Sequence, residues 1–265
     1  MLPAVRNSDA KQKDADRAVV VAVTSRAVFE SGGADDDEDQ DQVYEVGTAF
    51  PLLQALQRVN HRLLEENPVE SLLFDVVLIT TDRRRQRQSS RITASTRHYG
   101  LEVGRFCFAA EEDFIESLLK NNVRLFLSTD RNEAAQASQQ GVFSALLDQQ
   151  TASFPSEQLR ILFCGDAIIR PDTGPTPASR QAAQSFSAQL GEMRRSFSVL
   201  DSPLSIVLVT SRGGRESCGE ALRALRSRGV SVDEAYCLAG SPRGRMLSLL
   251  RPHFMLSDGF GDLEG

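Results

Sequence analysis

Five residues separate Cys164 from Arg170, a spacing at which a thiolate can attack phosphorus while a guanidinium clamps the phosphoryl oxygens. That chemistry needs a loop of backbone N–H groups turned toward the anion and a depressed thiol pKa. The intervening Gly-Asp-Ala-Ile-Ile carries an acid that repels phosphate and two β-branched residues that favour extended backbone. The spacing is therefore read as coincidence. A wider set of polar groups closes a series of short apolar runs: Cys164-Gly165-Asp166, Thr210-Ser211-Arg212, Ser241-Pro242-Arg243 and Ser257-Asp258. In open α/β sheets ligands bind beyond the carboxyl ends of the strands, so these are the residues to inspect.

Those runs are rich in Val, Ile and Leu, and they alternate with longer segments of helical pattern, the signature of a parallel sheet covered by helices. The strands are expected at Ala18–Val23, Phe74–Thr80, Arg105–Phe108, Val123–Leu127, Leu159–Phe163, Leu204–Val209, Ala235–Leu238 and Phe254–Leu256. The helices are expected at Leu52–Glu66, Arg87–Tyr99, Glu112–Leu119, Asn132–Leu147, Ala178–Phe197, Arg215–Arg228 and Gly244–Leu250. Gly100 and Gly229 stand where a helix hands over to the next strand, a place that commonly requires positive φ.

The pattern repeats. Val76-Val-Leu-Ile-Thr-Thr-Asp-Arg-Arg-Arg matches Ile206-Val-Leu-Val-Thr-Ser-Arg-Gly-Gly-Arg, and Arg105-Phe-Cys-Phe-Ala-Ala matches Ala235-Tyr-Cys-Leu-Ala-Gly. Leu125-Phe-Leu-Ser-Thr-Asp pairs with Phe254-Met-Leu-Ser-Asp, and Ala22-Val-Thr-Ser-Arg-Ala-Val-Phe with Leu162-Phe-Cys-Gly-Asp-Ala-Ile-Ile. Four matches in one order imply two similar α/β halves. The expected division is a disordered tail over 1–16, a first half over 17–150 with an acidic loop at 31–42, and a second half over 151–265 that carries the site.

Composition excludes several classes. In 265 residues with a net charge of −6 and 6% aromatics, nucleic acid is not the expected partner. No apolar run is long enough to span a bilayer. The polar first residues lack the apolar stretch of a secretory signal, so a cytoplasmic location is expected. Four scattered cysteines without a CxxC pair exclude a disulfide framework and a structural zinc site. The acids between Asp35 and Asp41 read as a solvated loop, and the basic cluster Arg83–Arg87 as a solvated loop or a contact to nucleotide or partner. His61, His98 and His253 are read as packing or surface residues, and Cys107 and Cys237, at equivalent strand positions, as small buried hydrophobes.

The blocks FCGDAI, LVTSRGGRES, LAGSPRGRML and RPHFMLSD, with AVTSRAVF, AFPLLQALQRVNHRL and FDVVLITTD before them, resemble the cytosolic 5'-nucleotidase I family of haloacid dehalogenase-like phosphohydrolases. The resemblance runs from Ala18 to Asp258. It implies a Rossmann-like fold and Mg²⁺-dependent hydrolysis of nucleoside 5'-monophosphates such as AMP. It also implies a nucleophilic Asp, a second Asp two residues on as acid and base, a hydroxyl and a Lys holding phosphate, and an acid pair at the last strand for the metal.

Matched position by position, the nucleophile's place is taken by Cys164, Asp166 keeps the acid/base place, and Thr210, with Ser211, the phosphate-binding place. Arg243 replaces the Lys, and no lysine follows Lys120. Ser257 replaces the first of the final acids, leaving Asp258 beside Asp166 as the remaining metal ligands. A neutral thiol is a poor ligand for hard Mg²⁺, whereas Arg243 preserves positive charge in a planar fork. The expected outcome is a site that binds an anion but hydrolyses poorly or not at all. Expected partners are a nucleoside 5'-monophosphate and either a second copy of the chain or a homologous active subunit; the alternative to a weakened enzyme is an inactive pseudo-nucleotidase that binds nucleotide or regulates a partner.

Overall fold

Apolar runs with few polar breaks become the buried central strands of two sheets. The computed structural model describes residues 4–8, 10–30, 43–81, 89–110, 113–147, 157–169, 176–211 and 215–256. The acidic loop 31–42, Arg83–Arg87, Arg170, Arg212, Ser257 and Asp258 lie outside the described residues. In the first sheet, β1 (Val5–Arg6), β6 (Arg105–Phe108), β5 (Phe74–Thr80), β2 (Val19–Thr24), β7 (Leu125–Ser128) and β8 (Ser144–Leu146) lie side by side in that order. All neighbours run parallel except β1, which pairs antiparallel with β6. In the second, β11 (Glu234–Cys237), β10 (Leu204–Thr210), β9 (Leu159–Cys164) and β12 (Phe254–Leu256) are all parallel. A small antiparallel ribbon joins β3 (Phe29–Glu30) to β4 (Glu45–Val46).

The two orders superpose. Strands β6-β5-β2-β7 of the first sheet correspond one for one to β11-β10-β9-β12 of the second, the arrangement the repeated sequence blocks require. A short helix follows the central strand in both, α1 (Ser25–Val28) after β2 and α6 (Gly165–Ile169) after β9. The remaining helices cover the sheets: α2 (Phe50–Glu66), α3 (Ser89–His98), α4 (Phe114–Lys120), α5 (Arg131–Gln139), α7 (Pro177–Arg195), α8 (Arg215–Ser227) and α9 (Arg243–Leu250). The fold is thus α/β and Rossmann-like, with two similar halves.

Local chemistry starts and stops these helices. Asp130 caps α5 by accepting N–H bonds from Asn132 and Glu133, and Thr176 caps α7 through the Ser179 N–H with Pro177 in the first turn. Gly100 and Gly229 adopt φ of 63° and 80° at the helix-to-strand turns. The buried face of α2, with Leu52, Leu56, Val59 and Leu63, joins one apolar cluster that continues through Phe186 and Leu190 of α7 and Ile206 and Leu208 of β10. Among the described residues, no helix is long and apolar enough to cross a membrane.

Three expectations need correction. The segment expected as a disordered tail contributes β1, and Asn7 adds two bonds, from its N–H to Gly104 O (2.9 Å) and from its side-chain amide to Val103 O (2.8 Å). The helix expected over Asn132–Leu147 ends at Gln139; Gly141, at φ 86°, turns the chain into β8. Cys107 is buried as expected, but Cys237 is exposed. The reason is the sheet edge: β1 covers β6, whereas β11 is the outermost strand of its sheet.

His253 is buried, and its Nδ1 accepts the Arg160 N–H at 3.0 Å. Burial, with the positive charges of Arg58 and Arg160 acting in the same direction, pushes its pKa down to about 4. The unfolded chain therefore binds a proton below about pH 6.5 that the native chain refuses until about pH 4. This contribution to stability is complete above that window and falls by about 2–3 kcal/mol as pH drops to about 4.5. Urea unfolding at both pH values checks it. A His253→Asn variant, which can still accept the N–H but does not titrate, is expected to lack that share of the slope; equal slopes in the two proteins would refute the assignment.

Candidate active site

Strand β9 delivers Cys164 at its last position, and the chain turns at once into α6, placing Asp166 in the first turn. That turn fits only because residue 165 is glycine: a Cβ there would stand 2.4 Å from Thr210 Cγ2 and 3.2 Å from Leu208 Cδ1. Thr210 closes the neighbouring strand β10 and is fully buried. The Ser211 N–H donates to Asp166 Oδ2 at 2.9 Å, and the Cys164 thiol points at the same oxygen at 4.0 Å. The Arg243 guanidinium, at the start of α9, reaches that oxygen too, at 3.8 Å.

One carboxylate oxygen therefore gathers a thiol, a backbone donor and a cation. Cys164, Asp166, Thr210, Ser211 and Arg243, five of the six residues singled out from sequence, come together at the carboxyl end of the second sheet; Asp258 lies outside the described residues. Strand β12 ends at Leu256, in register with Phe163, the residue before Cys164.

Burial pushes the Cys164 thiol above its ordinary pKa; Arg243 and the N–H groups of Ala167 and Asp166 pull it back in part, and the Asp166 charge adds to the rise. The net shift is upward, so the group is a neutral thiol near pH 7. A thiolate-dependent phosphatase needs the opposite shift.

Hard Mg²⁺ requires several oxygens in octahedral array. Among the described residues the cluster offers one carboxylate, already facing a guanidinium, beside a buried thiol and the hydroxyls of Thr210 and Ser211. No group of three or more Asp, Glu, His or Cys among the described residues is placed to hold a metal. The described residues do not fit the ion.

The equivalent end of the first sheet is built differently, and sequence reasoning passed over two of its residues, Asp130 and Glu133. Thr24 stands at the position of Cys164, Arg26 at that of Asp166 and Thr80 at that of Thr210. Arg26 pairs with Asp130 (3.3 Å) and Glu133 (2.6 Å), while Thr81 and Ser128 donate to Glu133 at 3.1 and 2.7 Å. Thr80 donates to Ser25 at 3.0 Å. These polar groups largely satisfy one another. The repeated block ending in Asp130 was the signal that could have drawn attention to them.

Two mostly parallel, helix-covered sheets with a polar cluster at the strand ends of the second define a Rossmann-like α/β protein. The family model of the 5'-nucleotidases matches residues 11–189 and 172–265. Human cytosolic 5'-nucleotidase 1B is 30% identical over 245 residues, covering 83% of this chain and 40% of the relative. The chain belongs to the 5'-nucleotidase family, in its cytosolic 5'-nucleotidase I branch. It spans about two fifths of the length of that relative.

Proposed function

We propose that this chain binds nucleoside 5'-monophosphates at the end of its second half, residues 151–265, and that its hydrolytic activity is lost or nearly lost, making it a pseudo-nucleotidase. The observation that carries this reading is Cys164: at the position of the family's nucleophile stands a buried thiol held neutral by its surroundings. A neutral thiol neither attacks phosphorus nor replaces a carboxylate as a ligand for Mg²⁺.

The binding half of the reading rests on charge and geometry. Arg243 supplies a forked cation suited to two phosphoryl oxygens, and Thr210 and Ser211 supply a hydroxyl each on the adjoining strand end. Asp166 is the retained acid/base group, but its Oδ2 accepts from Ser211 and faces Arg243. Incoming phosphate would compete with that carboxylate for the guanidinium, so binding involves a shift of Arg243 from Asp166 to ligand. The magnesium of the family chemistry has no adequate donor set among the described residues, and no step is assigned to it. The protein is proposed to act in the cytoplasm.

Calorimetric titration with AMP, with and without Mg²⁺, together with a phosphate-release assay, tests both parts. Saturable binding that does not require Mg²⁺ is expected, with phosphate release at the level of a protein-free blank. Mg²⁺-dependent turnover that titrates with protein and disappears in Asp166→Asn would overturn the proposal.

A further inference from the structure

The connection from α7 to β10 holds two apolar side chains in water: Val199 is 83% exposed and Leu200 98%. The backbone around them is fixed from both sides. Arg194 of α7 donates to the Phe197 and Ser198 carbonyls at 3.3 and 3.4 Å, and the Asp201 N–H donates to Ser198 Oγ at 3.1 Å. Arg62 of α2 reaches Asp201 Oδ2 at 2.7 Å, and the Gln158 amide donates to Ser202 O at 2.8 Å. An apolar ridge anchored in this way cannot fold back to hide its side chains, and exposed apolar surface on a fixed frame marks a contact site.

A recess lies on each side of the ridge. Val199 walls one of about 490 Å³, which Phe197, Leu204 and Val232 also line; Leu200 walls another of about 650 Å³, beside Pro203. Both signs of charge line them, Arg58, Arg62 and Arg195 with Glu157, Asp201 and Glu234. Arg194 and Asp233, which also line the first recess, neutralise each other.

We propose that this surface is the interface with a second copy of the chain, related to the first by a two-fold axis. Such an axis lays a patch against itself, so one patch must hold both sides of every contact. This one holds an apolar ridge with recesses to receive it, and as many arginines as carboxylates along their walls. A patch of a single sign would repel its own copy, whereas this balance lets the arginines of each copy face the acids of the other. The anchored loop has little freedom left to lose on docking, which favours association. Gln158, Pro203 and Asp233 immediately precede β9, β10 and β11, so the surface lies at the amino ends of the second sheet, opposite Cys164 and Thr210. The pairing leaves the candidate site open and does not rest on the nucleotide reading.

Sedimentation velocity of the native chain across a range of micromolar concentrations tests the assignment. A dimer is expected, and Leu200→Ala is expected to raise its dissociation constant on the order of 100-fold, because the truncation is made twice in each dimer. Leu200→Asp is expected to sediment as a monomer. Both variants are expected to keep the circular dichroism of the native chain, since the altered side chain lies almost wholly outside the fold. A native chain that stays monomeric at every concentration, leaving the ridge to a different protein, would refute the proposal, as would a self-association that Leu200→Asp leaves intact.

Discussion

Cys164→Asp is expected to raise Mg²⁺-dependent phosphate release from AMP by on the order of 1,000-fold over the native chain, equivalent to about 4 kcal/mol of barrier. The substitution restores at once an oxygen nucleophile and a hard metal donor, the two properties that the neutral thiol lacks. It also places a second carboxylate within a few ångströms of Asp166, where the thiol sulfur now stands 4.0 Å from Oδ2 in a buried site. Two desolvated carboxylates repel unless a cation lies between them. The variant is therefore expected to melt below the native chain without Mg²⁺ and to recover with it, while the native melting temperature stays unchanged by the ion. Arg243, 3.8 Å from Asp166, competes for the same charge, so adding Arg243→Lys to the first substitution is expected to raise turnover further. Silence of both variants at every Mg²⁺ concentration would show that the lesion lies elsewhere than at the nucleophile.

The parts of this architecture that sequence foretold are those whose signal is local. Strands β2, β5, β9 and β10 are apolar almost throughout and buried on both faces, and each lies within a residue or two of the expected limits. The repeated blocks foretold an order, and the two sheets share it. What sequence missed is set by distant partners. Val5–Arg6 is too short and polar to read as a strand; it is one because Phe106 and Arg105 stand opposite. The helices α1 and α6 are too short to show a helical period. The same holds in the site. Residue types and strand ends pointed to Asp166 and Arg243, but Ser211 reaches Asp166 through its backbone N–H, which no side-chain pattern reveals. That Cys164 is held neutral depends on its burial and on the balance between Arg243 and Asp166, quantities that exist only once the strands have met.

Asp233→Ala is expected to cost about 3–5 kcal/mol of stability and about 10 °C of melting temperature. Asp233 precedes β11 and meets Arg194 near the end of α7, whose side chain is only 7% exposed. Arg194 Nε donates to both carboxylate oxygens, at 3.0 and 3.1 Å, and its terminal nitrogen reaches the Phe197 and Ser198 carbonyls at 3.3 and 3.4 Å. Asp233 Oδ2 also accepts the Ile206 N–H of β10 at 2.8 Å. One carboxylate thus joins a helix end to a strand. Truncation leaves a largely buried guanidinium without its counter-charge and a strand N–H without its acceptor, and each is costly because solvent compensates the loss only in part. Asp233→Asn keeps an acceptor and is expected to cost less than the alanine. Replacing both partners, with Arg194→Leu added to Asp233→Ala, removes the orphaned charge and is expected to recover part of the loss. Urea unfolding of the three variants measures these differences, and a cost below about 1 kcal/mol for Asp233→Ala would show that the pair is screened as a surface bridge is. The clamp acts at Ile206, four residues or about 13 Å along β10 from Thr210. AMP affinity is therefore expected to stay within about twofold of native wherever the variant remains folded, separating what holds the second sheet together from what the end of that sheet binds.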